Sequence, residues 1–215
     1  MRIATLSLLA LMTLPAMASI QEPWQVGLAL NQSPSSDGTW NQGNASTWIK
    51  RKAGLGFSVN AGYSVLDLDH SDLSVTAEYQ LQTKYNGQGS STSPSLPTSA
   101  SGTFKSQYFA PGVQWNFHKA VDFGLGLQYR LETLKGNLEG TASTSYNRPW
   151  LNAYVGYTIP TNNLAKPFVA LRVARALDHT TSPAANAAAA PADSTRLLRY
   201  LAPSWQTSLQ VGVRF

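Results

Sequence analysis

The sequence predicts an all-β chain, an eight-stranded antiparallel up-and-down transmembrane β-barrel. Three observations predict it. Eight segments alternate between apolar and polar residues, strictly so in the last, which is the period of a strand with two unlike faces. The connections between them alternate long and short. Only 13% of the residues are charged, against about 25% in a soluble domain.

The chain starts with the basic Met1-Arg2, an apolar run from Ile3 to Leu14, and Pro15-Ala16-Met17-Ala18. The run is too short to span a bilayer as a helix. The small-x-small ending is the pattern that signal peptidases cut. Residues 1–18 are therefore expected to be a signal peptide and residues 19–215 the barrel. No later segment is apolar for long enough to form a transmembrane helix. The chain has no cysteine, which excludes a disulfide scaffold, thiol chemistry and thiolate metal sites.

The first apolar face is Trp24, Val26, Leu28 and Leu30. The second is Leu55, Phe57, Val59, Ala61 and Tyr63, and the third Leu73, Val75, Ala77, Tyr79 and Leu81. The fourth, Phe109, Val113, Trp115 and Phe117, is interrupted at Pro111, where a bulge or kink is expected because proline lacks a ladder donor. The fifth is Phe123, Leu125, Leu127, Tyr129 and Leu131; the sixth is Leu151, Ala153, Val155, Tyr157 and Ile159. Val169, Leu171 and Val173 form the seventh. The eighth, Trp205, Leu209, Val211, Val213 and Phe215, reaches the end of the sequence. Trp150 and Phe168 have the wrong parity for these faces and require either a bulge or an inward side chain.

Residues 32–51, 84–103, 134–149 and 178–201 make long connections after odd strands; residues 66–71, 118–120 and 160–166 make short ones after even strands. The segment 134–146 keeps weak alternation and reads as an extended hairpin. Gln88–Gly102, rich in Ser, Thr and Pro, and Ser182–Asp193, rich in Ala and Pro, lack apolar periodicity and are expected to be mobile. Aromatic residues gather at strand ends, Trp24, Tyr63, Trp115 and Tyr157 among them, as rings do at a membrane interface.

If the apolar face meets lipid, the polar face lines a lumen that eight strands leave just wide enough for side chains to fill. Gly54, Gly56, Ser58, Asn60, Gly62, Gly124, Gly126, Gln128 and Gly156 fall on it, with the charged Glu78, Arg130, Glu132, Arg172 and Arg214. Unpaired charges in so narrow a space are costly. A lumen charge network is therefore expected, in which Glu78 and Glu132 meet Arg130 or Arg172.

The formal net charge is +5. Lys50, Arg51, Lys52, Lys84, Lys105, Arg148, Arg175, Arg196 and Arg199 fall at the end with the long loops, whereas Glu22, Asp67, Asp69, Asp72 and Asp122 make the other end acidic. A basic rim suits phosphate-rich lipid. No nucleic-acid motif accompanies the charge.

Taken together, the signal peptide, alternating strands, long–short rhythm and terminal Phe215 resemble the small outer-membrane β-barrel proteins of the OmpA/OmpX type. The resemblance is architectural, without a short family motif. It implies a bacterial outer-membrane location with both termini periplasmic, surface-exposed loops and a monomer. The implied partners are outer-membrane lipid and the barrel-assembly machinery, the latter reading Trp205, Leu209, Val211, Val213 and Phe215. The basic rim would then hold lipopolysaccharide. No cofactor, metal or nucleic acid is expected. The expected role is structural or surface-interactive: membrane integrity, adhesion or stress resistance.

Two alternatives stay open, a narrow porin-like channel for small solutes and a lipid A-modifying enzyme. The chain is not expected to be an enzyme. His70 lies in the turn Asp69-His70-Ser71-Asp72, where neighbouring side chains diverge, His118 lies in the shortest turn, and His179 at the loop end lacks a clear Ser and Glu partner.

Overall fold

The computed structural model describes residues 23–42, 45–68, 70–91, 99–136, 144–162, 164–177 and 203–215. The strands in them are β1 (Trp24–Ser33), β2 (Ser36–Gln42), β3 (Ala45–Arg51), β4 (Gly54–Leu68), β5 (Ser71–Ser91), β6 (Ser99–Phe117), β7 (Val121–Gly136), β8 (Thr144–Thr158), β9 (Lys166–Ala176) and β10 (Trp205–Arg214). In the ring order β1-β10-β9-β8-β7-β6-β5-β4, each strand bonds antiparallel to the next, and β4 bonds back to β1. Eight strands therefore close a barrel without an edge. β2 and β3 are a hairpin outside the ring, with β3 laid against the far part of β5.

Closure is tight at the seam. Trp24 and Phe215 exchange backbone hydrogen bonds of 3.0 and 2.9 Å, so the first and last strands zip together as far as Phe215. This end of the barrel, with its short connections, is called the turn end below, and the opposite one the loop end.

The two faces are those of a soluble protein reversed. Leu28, Phe57, Leu125, Tyr129 and Leu171 project outward and are each more than half exposed, whereas Ser58, Gln80, Gln128 and Asp122 are buried. Leaving one large apolar side chain in water forgoes roughly 1.5–3 kcal/mol. A belt of them around the whole barrel is stable only in hydrocarbon. Trp24, Trp115, Phe117, Phe123, Tyr157 and Phe215 are exposed at the turn end of this belt, with Trp24 packed edge-on to Tyr63 at 4.7 Å between ring centroids.

Inside, glycines are notches for larger neighbours. A Cβ on Gly54 would sit 1.7 Å from the Tyr85 ring, one on Gly124 1.8 Å from Tyr154, and one on Gly212 2.6 Å from Phe168. Trp150 and Phe168, of unexpected parity, point inward without a bulge and are buried.

The connections depart from expectation. The first long one contains the β2–β3 hairpin. The second, read as mobile, is mostly strand: Gly87–Ser90 pair with Ser99–Gly102. Polar Gly, Ser and Gln give no alternation to read, but backbone hydrogen bonds sustain a ribbon beyond the apolar belt. The third is the expected hairpin, β7 reaching Gly136 and β8 starting at Thr144. Residues 182–193 of the fourth lie outside the described residues.

Of the bulge or kink expected at Pro111, the bulge does not occur. The β6–β7 ladder skips Ala110 and Pro111 but resumes in the same register, Phe109 opposite Tyr129 and Gly112 opposite Gly126, and Pro111 pairs with Ala77 on its other side. A missing donor on one side is absorbed without inserting a residue. The register shifts fall elsewhere, between Ser64 and Leu66 and between Gln80 and Thr83. The β6–β7 turn places His118 and Lys119 at φ 51° and 53°, closed by Ala120 N–H donating to the Phe117 carbonyl at 3.1 Å. Two left-handed central residues match the twist of a tight hairpin.

Candidate functional site

The inward side chains form three polar tiers along the barrel axis. At the turn end Asp122 is the hub. Its carboxylate accepts hydrogen bonds from Arg214 (2.6 Å), Asn116 (2.7 Å), Gln114 (2.9 Å) and Thr158 (3.1 Å). Gln25 Nε2 donates to Gln114 Oε1 at 2.6 Å, extending this tier across the lumen.

The middle tier is built on Glu78 and Arg172, a buried ion pair. Tyr108 Oη donates to Glu78 at 2.6 Å and accepts from Arg172 Nη2 at 2.6 Å. Ser58 Oγ donates to Glu78 and accepts from Asn31 Nδ2 at 2.9 Å. Arg172 also donates to Asn31 Oδ1 (3.0 Å) and Ser208 Oγ (3.1 Å). Six strands thus contribute to one carboxylate–guanidinium cluster, the condition under which a buried charge pair is tolerated.

The loop-end tier mixes cations and aromatic faces. The Arg130 guanidinium carbon lies 3.8 Å from the centre of the Trp150 ring and 4.9 Å from that of Tyr108. Its Nη2 donates to Gln128 (3.0 Å) and Gln206, and Gln206 donates to Gln80 at 3.1 Å. Arg148 Nη1 donates to Glu132 Oε2 at 3.2 Å and to the Pro203 carbonyl at 3.0 Å, both charged side chains being fully buried. Nearest the loops, Arg51 lies over Tyr85 at 5.3 Å and donates to the carbonyls of Pro34 and Lys52.

The structure thus joins Glu78 to Arg172 as expected, but Glu132 bonds Arg148 and not Arg130 or Arg172. Arg214 is inward, yet its partner is Asp122, which the sequence reading had placed among the acidic end charges. Two assigned rim residues are corrections as well. Arg51 and Arg148 share inward parity with their strands and are buried, so they cannot face lipid phosphate. Lys50, Lys52, Lys84 and Arg175 are exposed and Lys105 is half-buried, while Arg196 and Arg199 lie outside the described residues. Trp205, Leu209, Val211 and Phe215 are exposed on the outer face of the seam, with Val213 half-buried.

Sequence reasoning missed Asp122, Arg148, Arg51 and Tyr108 as lumen residues. The parity of Trp150 was the available signal for Arg148, which stands two positions before it. His70 and His118 come together across adjacent turns, their rings stacked with centroids 5.9 Å apart; His179 lies outside the described residues. Among the described residues no group of three or more His, Cys, Asp and Glu side chains converges to hold a metal.

No protein-family profile matches the chain. No curated protein matches it either. Among solved structures it is similar to Ail, the attachment invasion locus protein of Yersinia pestis, with a TM-score of 0.52 and 14% identity over 91% of this chain and 98% of that one. Lower likenesses are to the outer membrane protein OprG of Pseudomonas aeruginosa (TM-score 0.46, 10% identity, 91% and 96% covered) and to Neisserial surface protein A (0.41, 14%, 89% and 95%). Together with the closed ring and the apolar outer belt, the likeness to Ail defines the class: a small eight-stranded outer-membrane β-barrel.

Proposed function

We propose that the protein is a monomeric, non-enzymatic barrel of the bacterial outer membrane, with its turn end in the periplasm and its loop end at the cell surface. Its role is structural and surface-interactive, and it holds lipopolysaccharide phosphates at the loop end. One observation carries the lipid reading. Lys84 and Lys105 are direct cross-strand partners on the outer face of β5 and β6. On the same sheet Lys50 pairs with Gln88, and Lys52 N–H donates to the Asn86 carbonyl at 3.0 Å. Four lysines therefore share one outward patch; Asp37 stands opposite Lys50 in the β2–β3 ladder, whereas Lys84 and Lys105 face each other. Like charges placed directly opposite are destabilising. A bound anion relieves that cost, and charge-assisted bonds to phosphate are strong.

The filled lumen supports a structural role over a channel, because each tier bridges the bore with side chains. The non-enzymatic reading rests on the sequence, in which none of the three histidines has a clear nucleophile and carboxylate partner. The test is co-purification. Purified folded protein should retain lipopolysaccharide, and Lys84→Ala/Lys105→Ala should retain several-fold less. Equal retention removes the lipid reading, and altered lipid A species in cells expressing the protein would remove the non-enzymatic one.

A further inference from the structure

We infer that the lumen is divided into two unlike halves: a hydrated chamber toward the turn end, which takes water and small ions from that side, and a seal of stacked cations and aromatic rings toward the loop end.

The chamber lies between the Asp122 tier and the Glu78–Arg172 tier. It is a cavity of about 30 Å³ walled by Asn60, Gln114, Asn152, Tyr154 and Gln210. A water needs roughly 10–15 Å³ measured in this way and two to four polar partners, so the space suits about two. The partners are present. Both the oxygen and the nitrogen of the Asn60 amide are buried without a protein partner, and so is the Tyr154 hydroxyl. Asn60 is only 8% exposed. A cavity lies beside this unpaired amide, so solvent can relieve its cost; the loop-end tier also holds unpaired buried atoms, Arg130 Nε and Nη1, Gln128 Nε2 and Trp150 Nε1 among them, but there the guanidinium is packed on ring faces. Gly27 leaves room beside it, since a Cβ there would stand 3.0 Å from both Asn60 polar atoms.

Solvent has a route in from the turn end. A second cavity of about 50 Å³ opens at that mouth, walled by Ser74, Asn116, Lys119, Lys166 and Arg214. Gln25 lines both cavities, and its 2.6 Å hydrogen bond to Gln114 is the partition between them. Gln114 also donates to Asp122 at 2.9 Å, so loss of the Gln25 contact widens this wall and leaves the Asp122 hub in place.

The loop-end half is closed differently. Arg130 is clamped between the Trp150 and Tyr108 rings, and Gln80, Gln128, Gln206 and Trp150 are almost wholly buried around it. A guanidinium lying on aromatic faces fills the bore with flat, closely stacked groups. Water must cross this stack to pass through the barrel.

The chain has no cysteine, so single cysteines can be placed without background. Asn60→Cys, Tyr154→Cys, Gln80→Cys and Gln128→Cys would be made in the folded, detergent-solubilised protein, each verified by the mobility difference between unheated and boiled samples. Silver ion is the probe. Asn60→Cys and Tyr154→Cys should react at least about tenfold faster than the other two, and Gln25→Ala should accelerate Asn60→Cys further. Equal rates at all four sites, or faster reaction at Gln80→Cys and Gln128→Cys, overturn the division. This readout does not depend on lipopolysaccharide binding, so it stands or falls apart from the proposed surface role.

Discussion

Arg148 and Glu132 are 3.2 Å apart with both side chains fully buried, on adjacent strands two residues out of direct register: Glu132 lies opposite Tyr146 and Arg148 opposite Arg130. The pair is diagonal, and Arg148 also donates to the Pro203 carbonyl on the approach to β10. Removing one charge strands the other in a space without bulk water. Glu132→Ala should therefore destabilise the folded barrel by about 3–5 kcal/mol. Replacing both with apolar residues of similar volume, Glu132→Leu/Arg148→Met, should recover most of that loss. Urea unfolding in detergent, followed by the shift in gel mobility, measures both.

Tyr108 Oη sits between the partners of the middle tier, donating to Glu78 and accepting from Arg172. Tyr108→Phe keeps the ring under Arg130 and removes only this relay. Leaving charged groups one partner short costs about 1–3 kcal/mol. Tyr108→Leu, which also removes the cation–π contact, should cost more. If the two variants unfold at the same denaturant concentration, the aromatic face contributes nothing measurable.

The outward and inward faces were legible in the sequence because strand parity is a local property. Leu125 and Gln128 declare their sides without knowledge of their partners. Partner choice was not legible, because it depends on inter-strand register. Arg130 and Glu132 look like natural neighbours along β7, yet register gives Glu132 to Arg148. Residues near the ends were misread for a related reason. Asp122 has the parity of Gly124 and Gln128, but a strand starting at Phe123 would leave it in the turn; β7 begins at Val121. Arg51 and Arg148 suffered the same fate where polar strand extensions passed for loops. Parity assigns a face only once the strand is known to reach the residue.

Gly124 and Tyr154 show how the lumen is filled. A methyl on Gly124 would overlap the Tyr154 ring at 1.8 Å. Gly124→Ala should destabilise by about 1–3 kcal/mol, the usual cost of overpacking. Gly124→Ala/Tyr154→Leu should restore part of the loss by opening the space. Independent additive effects in this double-mutant cycle would contradict the notch.

The β6–β7 turn carries avoidable strain. His118 and Lys119 both occupy the left-handed region, where a side chain costs roughly 1–2 kcal/mol and glycine pays almost nothing. Lys119→Gly should stabilise the barrel by about 1 kcal/mol, offset in part by the greater freedom of glycine in the unfolded chain. His118 is held differently, its ring 4.2 Å from Phe117 edge-on and stacked beside His70. His118→Gly should therefore gain less than Lys119→Gly. Thermal midpoints of the two variants in the same detergent decide the order.

The facing lysines of β5 and β6 give a prediction in which stability and binding move in opposite directions. Lys84 stands directly across from Lys105, so each raises the free energy of the other in the lipid-free protein. Lys84→Glu turns that repulsion into attraction and should stabilise detergent-purified protein by about 0.2–1 kcal/mol, more at low salt than at high. The same change deletes one phosphate contact and places a carboxylate beside the others, so retention of lipopolysaccharide should fall below that of Lys84→Ala. A residue kept only for folding would not lower stability by its presence while raising anion binding. Should Lys84→Glu lower both together, the patch belongs to the architecture of the β5–β6 ribbon, and the lipid contact must be sought elsewhere on the loop end.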